Sequence, residues 1–333
     1  LWSTKLPENF KKFCAKISIL TDAIQYESDD VMSPIYGHDY AIACCVSAMK
    51  VGKQMQFFGA RCNLAKSLLY SINEGKDEKS GKLVVSGIEK MTDEVLDYNK
   101  VKKAYFKTLE KVAKTYVDAL NIIHFMHDKY AYEAGQMALH DTHVERLMAF
   151  GIAGLSVATD SLSAIKYAKV TPLRNGDGIA LEFKTEGDFP KYGNDDDYAD
   201  DMMKYVVDTY ANQMQSYPPT RGGIGVIKTG AFSTTINLMF GMGVGATPDG
   251  RKHAEAISEN IGAARTAHSN RDRNGPTAYA RSIGKLDHAK FGSGTLINMK
   301  FGNDTISGEK GRDDFIGFLD GYFEANPLHI QFM

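Results

Sequence analysis

Two cysteines stand side by side, Cys44 and Cys45, inside the small apolar run Tyr40-Ala41-Ile42-Ala43-Cys44-Cys45-Val46-Ser47. Adjacent thiols can divide a reaction between them. One reacts with a substrate carbon while the other takes up the fragment, and their closeness turns a bimolecular encounter into an intramolecular step. The same pair also reads as two small core residues, because free cysteine is often buried; spacing alone leaves both readings open. Arg61 follows, at the end of Phe57-Phe58-Gly59-Ala60-Arg61. A guanidinium fork in an apolar pocket suits a small carboxylate held by two parallel hydrogen bonds, and Gly59 removes a side chain where something must approach closely. An arginine paired with a structural Asp or Glu is the other reading.

Histidines raise a metal hypothesis. His124 and His127 are three apart, His140 and His143 repeat that spacing, and Asp128, Glu133 and Asp141 add carboxylates. Such a set can ligate zinc or iron, but the flanking sequence of metal-binding helices is missing. Packing and capping account for these residues, and no metal is expected. Asp195-Asp196-Asp197 reads as a solvated helix start, where acidic groups suit the positive end of the helix dipole. Thr247-Pro248-Asp249-Gly250-Arg251 is a compact turn explained by its Pro and Asp-Gly, with Arg251 available for a salt bridge across a domain.

These residues need elements to place them. Residues 1–40 read as an irregular leading segment and 40–47 as a buried strand or loop. Residues 52–73 read as a helix broken near Gly59, and 73–82 as an exposed loop. The clearest helix spans 98–129, where Tyr105, Leu109, Val112, Tyr116, Leu120 and Ile123 step by three or four along one face. A helix over 131–138 and a largely internal one over 144–169 follow, with Gly151 and Gly154 permitting close packing. Short strands at 170–173 and 179–184 flank the Asn175-Gly176-Asp177-Gly178 turn. Another helix runs to about Ser216 and is closed by Tyr217-Pro218-Pro219. From Gly222 glycine becomes frequent and the pattern weakens. Helices alternate with short apolar strands, so the class is α/β.

Bulk properties narrow the function. The chain has 333 residues, 43% hydrophobic and 24% charged, with 39 Lys+Arg against 41 Asp+Glu and a formal charge of -2. That balance gives no reason to expect nucleic acid or an anionic membrane as partner. No run of about 18 apolar residues suggests a membrane-spanning helix. The four cysteines, Cys14, Cys44, Cys45 and Cys62, are too few for a secreted disulfide scaffold, so free thiols in a reducing, cytoplasmic compartment are expected. The sequence lacks a phosphate-cradling Gly/Lys loop, a dinucleotide fingerprint, a Gly-x-Ser-x-Gly elbow and a Cys-x-x-Cys pair. It opens on Leu1-Trp2-Ser3 without a methionine, which suggests a piece of something longer.

Ala43 to Ser47 and Val51 to Arg61 together resemble the active-site region of the pyruvate formate-lyase family of glycyl-radical enzymes. Ala119 to Tyr130, Gly151 to Ser156 and Asp160 to Lys169 resemble it as well. The match is close over 1–221 and looser over 222–333. There Thr247 to Arg251 and Leu319-Asp320-Gly321-Tyr322-Phe323 still fit, while Pro327 to Phe332 resembles the wider glycyl-radical family. The paired cysteines are specific, since wider relatives usually carry one.

The resemblance implies part of a ten-stranded α/β barrel, made of two five-stranded parallel halves that run antiparallel and are wrapped by helices. It implies formate C-acetyltransferase chemistry in anaerobic glucose fermentation. A backbone glycyl radical, installed by an activating enzyme using S-adenosylmethionine and an iron–sulfur cluster, takes hydrogen from Cys45. The radical passes to Cys44, which attacks the pyruvate carbonyl, keeps the acetyl group as formate leaves, and yields it to coenzyme A. Arg61 holds the pyruvate carboxylate and Phe58 walls the pocket. No cofactor is bound permanently, coenzyme A is a co-substrate, and a homodimer is implied. The Val-Ser-Gly-Tyr-like radical loop and the family's N-terminal half have no counterpart here; Val85-Ser86-Gly87-Ile88 lies in the wrong context. This chain alone is therefore expected to be inactive. A lyase for a related 2-ketoacid such as 2-ketobutyrate, or a non-catalytic or split subunit needing a glycyl-radical partner, are the alternatives.

Overall fold

The computed structural model describes residues 1–43, 46–57, 60–130, 135, 138–218, 224–229, 234–258, 261–264, 271–291, 294–302 and 304–332. The leading segment is more regular than the sequence suggests. It forms α1 (Glu8–Thr21), β1 (Gln25–Glu27) and α2 (Asp29–Tyr36), the last capped by Ser28, whose side chain accepts from Val31 N. The buried face of α1 is Lys11, Cys14, Ala15 and Ser18, so the usual large-apolar stripe is missing.

β2 (Tyr40–Ala43) and β3 (Ser47–Lys50) pair antiparallel, with Ala43 opposite Ser47. The stretch read as one broken helix is instead β4 (Gln54–Phe57), β5 (Arg61–Asn63) and α3 (Leu64–Ile72). Asn63 caps α3 by accepting from Lys66 N at 3.1 Å. The following turn is tucked in over its first part, with Asn73 and Glu78 buried, and exposed as expected from Lys79 to Lys82. Lys66 holds Asp77 at 2.6 Å and Glu78 at 2.8 Å, and Glu78 accepts from Gly245 N at 2.7 Å.

The long helix α4 (Tyr98–Lys129) forms as its pattern predicts, capped by Asp97, which accepts from Lys100 N. It buries Tyr105, Leu109, Tyr116 and Leu120, with Val112 and Ile123 partly covered. Most of the expected 131–138 helix lies outside the described residues. The internal helix expected over 144–169 is two elements, β6 (Glu145–Ala153) and α5 (Leu155–Tyr167). Every residue of β6 from Leu147 onward, and of α5 from Leu155 to Ile165, is buried. With all sides covered, neither period shows, and an apolar run fits strand and helix alike. Gly154, at φ 70°, turns the chain between them.

β7 (Lys169–Arg174) and β8 (Ala180–Glu186) pair antiparallel around the predicted turn. α6 (Asp197–Gln215) starts at Asp196, which accepts from Tyr198 N and Ala199 N. The acidic start is partly solvated and partly tied down: Lys285 lies 2.7–2.8 Å from Asp195, Asp197 and Asp200. β9 (Ile224–Thr229), α7 (Thr234–Met242), α8 (Gly275–Gly284), β10 (Asn298–Met299), α9 (Gly308–Glu324) and β11 (His329–Phe332) complete the order.

The central sheet is parallel. β6 pairs with β4, β5 and β9. Leu147 and Met148 meet both β4 and β9, and Gly151 and Ile152 meet both β5 and β9. A strand residue has two edges, so β4 and β5 are successive segments of one edge, interrupted between Phe57 and Arg61. Helices α3, α4, α5 and α6 bury apolar faces in the cluster containing Leu64, Leu68, Tyr105, Phe150, Leu162 and Met203. This α/β architecture is the expected class.

The two ends of the chain are joined. β1 runs antiparallel to β11, with Glu27 opposite His329. Trp2 Nε1 and Lys11 Nζ both donate to Asp320 on α9. Residues after 222 therefore complete the same core rather than forming a separate body. Arg251 makes no long reach across it: its guanidinium donates to the carbonyls of Gly245 at 2.7 Å and Gly241 at 2.9 Å, knitting its own loop.

Candidate active site

Cys44, Cys45 and Phe58 lie outside the described residues. Their described neighbours fix the setting. Ala43 and Ser47 close the β2–β3 pair, and β3 leads through a turn, with Lys53 N donating to Lys50 O at 3.2 Å, into β4. Val46, Ser47 and Ala48 are buried. The covered surroundings expected for the cysteine run are present on its C-terminal side, whereas on the other side Ala41 is exposed and Ile42 half-buried.

Arg61 sits where β5 begins, just beyond the interruption. On β6, Phe57 is opposite Met148 and Arg61 opposite Gly151, so three residues on one edge span two on the other. The Arg61 stem lies across Gly151: a Cβ there would overlap Arg61 Cδ and stand 2.9 Å from Nε. Only glycine leaves room. The guanidinium Nη1 donates to Ala60 O at 2.9 Å. The Tyr116 hydroxyl reaches the same oxygen at 2.6 Å and Gly151 O at 3.1 Å. Burial pushes the Tyr116 phenol far up, so it stays a donor at any working pH. Ala60 O is thus held by two donors, one of them the candidate carboxylate-binding arginine.

Around this point lies a cleft of 610 Å³ bordered by Arg61, Lys66, Tyr70, Lys111 and Tyr116. Cys62 borders it too but is buried, and desolvation pushes its thiol up to about 11, which makes it a poor nucleophile. His124 and His127 turn out to be packing partners of Phe57, with ring centroids 4.8 and 5.0 Å away. Among the described residues no three His, Cys, Asp or Glu side chains come together as a metal set; Glu133 is outside them. Ser86-Gly87 forms an exposed turn beside α4, where Lys111 Nζ reaches Ser86 O, while Val85 before it is buried.

The sequence singles out Arg61 but not its neighbours Gly151 and Tyr116. Gly151 was assigned to helix packing; the one available signal was a glycine in an otherwise bulky buried run. Tyr116 looked like one more residue of the α4 stripe, and nothing local distinguishes it.

A family model described as pyruvate formate lyase-like matches residues 1–241. The chain belongs to that family. A second family model, glycine radical, matches residues 262–333 of this pyruvate formate lyase-like chain. It is 47% identical to the formate acetyltransferase of Haemophilus influenzae, over 97% of this chain and 43% of that protein. The glycerol-bound B12-independent glycerol dehydratase of Clostridium butyricum superposes with a TM-score of 0.82 at 25% identity. The hydroxyproline dehydratase of Clostridioides difficile does so with 0.82 at 26%. Both superpositions cover 98% of this chain and 45% of the other. The chain therefore spans less than half the length of these relatives. Among the described residues no helix is long and apolar enough to cross a membrane.

Proposed function

We propose that these residues serve a formate C-acetyltransferase, which cleaves pyruvate and passes its acetyl group to coenzyme A. The observation that carries this is the 47% identity to the Haemophilus formate acetyltransferase across nearly the whole chain. The geometry is in keeping with it: the Arg61 stem lies on a bare glycine at the border of the cleft, and a guanidinium fork suits a small carboxylate. In this reading a glycyl radical takes a hydrogen atom from Cys45, and Cys45 in turn takes one from Cys44. The Cys44 thiyl adds to the ketone carbon of pyruvate while Arg61 holds the carboxylate and Phe58 walls the pocket. The C–C bond breaks homolytically, leaving an acetyl thioester on Cys44 and a formate radical anion. That radical takes a hydrogen atom from the Cys45 thiol and leaves as formate, the Cys45 thiyl regains its hydrogen from the glycine, and thiol exchange with coenzyme A frees Cys44.

Gly87 is not the radical glycine in this reading. It is exposed, whereas a persistent backbone radical needs a covered position away from water and oxygen. The activating enzyme, a homodimeric assembly, a cytoplasmic setting, and closure of the parallel sheet into a ten-stranded barrel belong to the same proposal. So does the division into a closely matching 1–221 and a divergent 222–333.

The test uses the complete gene product that carries these residues, activated anaerobically and supplied with pyruvate and coenzyme A. Formate should form, and Cys44→Ser and Cys45→Ser should each abolish it while the glycyl-radical signal remains. A glycyl radical without formate would overturn the ketoacid reading. Preference for 2-ketobutyrate in direct competition would shift it to the neighbouring ketoacid.

A further inference from the structure

Gly294 approaches the cysteine run from the far end of the sequence. It is buried at φ 85°, with its N–H donating to Phe291 O at 2.6 Å. A Cβ at this position would overlap Val46 O, stand 2.6 Å from Val46 C and 2.9 Å from Val46 Cβ. The obstacle is backbone, which cannot swing aside as a flexible side chain can. The neighbour Thr295 is fully buried, and its hydroxyl finds no hydrogen-bond partner among the described residues. Val46 follows Cys45 directly in the chain and is itself fully buried. The backbone at 294 therefore presses on the peptide that anchors the cysteine pair from its C-terminal side. Gly294 lies within the stretch matched by the glycine-radical model, and Val46 within the stretch matched by the lyase-like model.

We infer that Gly294 is a positioning residue for Cys44 and Cys45: its missing side chain lets one segment clamp Val46 and so fixes where the two thiols stand. The kinetic part of this inference rests on the proposed acetyl-transfer role of the cysteines. The clamp itself does not, and it can be read from thiol reactivity whatever the substrate.

The experiment compares Gly294→Ala with Gly308→Ala in the complete gene product. Gly308 has a similar φ of 75° but open space where its Cβ would go, so it carries the backbone strain without the collision. Alkylation of each cysteine is followed by mass spectrometry, with buried Cys14 and Cys62 reporting any global opening. Gly294→Ala should change the alkylation rate of Cys44 and Cys45 by about tenfold relative to Gly308→Ala, with Cys14 and Cys62 unchanged. It should lower kcat for formate by roughly ten- to a hundredfold at unaltered glycyl-radical content and pyruvate KM, as expected for reacting groups displaced by a fraction of an ångström. Equal alkylation in the two variants overturns the inference. If the parent makes no formate yet the alkylation contrast holds, the clamp stands and the substrate assignment falls. Should Gly294→Ala not fold, Val46→Gly removes the Val46 Cβ and loosens the peptide against which Gly294 packs; an unchanged Cys44 and Cys45 alkylation rate there overturns the inference too.

Discussion

Arg61 and Arg271 are both arginines in largely covered surroundings, and they are held in opposite ways. Arg61 stands at a break in the parallel sheet, its stem on a bare glycine and its Nη1 on a backbone carbonyl shared with a tyrosine. Arg271 is locked between two buried carboxylates, 3.1 Å from Asp249 and 3.6 Å from Asp160, and also donates to Asp249 O. The first arrangement aims a cation; the second consumes one to join three distant parts of the chain. A similar contrast separates two larger parts of the molecule. The β4–β6–β5 edge is built from backbone and rings. The seam where the chain's ends meet is built from buried ionisable groups, including Glu27 and His329.

The largest effect should come from removing the locked cation. Arg271→Met leaves Asp160 and Asp249 buried without their cation, so unfolding stability should fall by about 3–5 kcal/mol. Urea denaturation of the purified chain measures it, and a loss no larger than that of Arg61→Met would erase the contrast between the two arginines. Next comes pH. Desolvation pushes the Glu27 carboxyl up to about 9 and the His329 imidazole down to about 3. The His329 Nδ1 accepts from Ile297 N at 3.1 Å, which leaves its proton on the nitrogen facing Glu27. A raised carboxyl makes the folded state bind more protons than the unfolded one, so its stability is present at low pH and lost as pH rises to the folded value. A lowered histidine acts with the opposite sign, but only below its unfolded value. From about pH 7 to pH 9 Glu27 therefore acts alone of this pair, and stability should fall by roughly 2–3 kcal/mol. Glu27→Gln should flatten that decline, and melting temperatures across the range would show it.

The two regions also differ in how far the sequence revealed them. Helix α4 was legible because one face meets a core, the other meets water, and Asp97 marks its start. The β7–β8 pair was legible from Asn175-Gly176-Asp177-Gly178, whose turn chemistry is local. β6 and α5 were not, because burial on every side erases the period that tells strand from helix. α1 escaped because its inward residues, Lys11 and Ser18 among them, are polar and find their partners outside the helix: distant Asp320 for one, Tyr26 on the next strand for the other. Arg61 could be chosen from its apolar neighbours and carboxylate chemistry. What aims it could not: Gly151 is ninety residues downstream by number and Tyr116 lies on another element. Gly294 is more distant still, and only the fold brings it to Val46.

Smaller changes at the sheet break sharpen the comparison from its other side. Arg61→Lys keeps the charge and loses the planar fork, which should raise the pyruvate KM of the complete gene product about tenfold, the equivalent of about 1.4 kcal/mol. Its melting temperature should hardly move, in contrast to Arg271→Met. Tyr116→Phe is subtler. It removes one of the two donors on Ala60 O and leaves the ring packed on Phe150, so stability should fall by about 1 kcal/mol. If that oxygen is only a structural acceptor, pyruvate KM stays put. If the tyrosine holds the carbonyl from which the guanidinium is aimed, KM rises by roughly threefold, and the Arg61→Lys/Tyr116→Phe double variant is less than additive by about 0.5–1 kcal/mol. We expect the second outcome, because both donors meet on a single acceptor and loosening one frees the other to swing. Strict additivity would break the link and leave the bare face of Gly151 as the feature that aims the arginine.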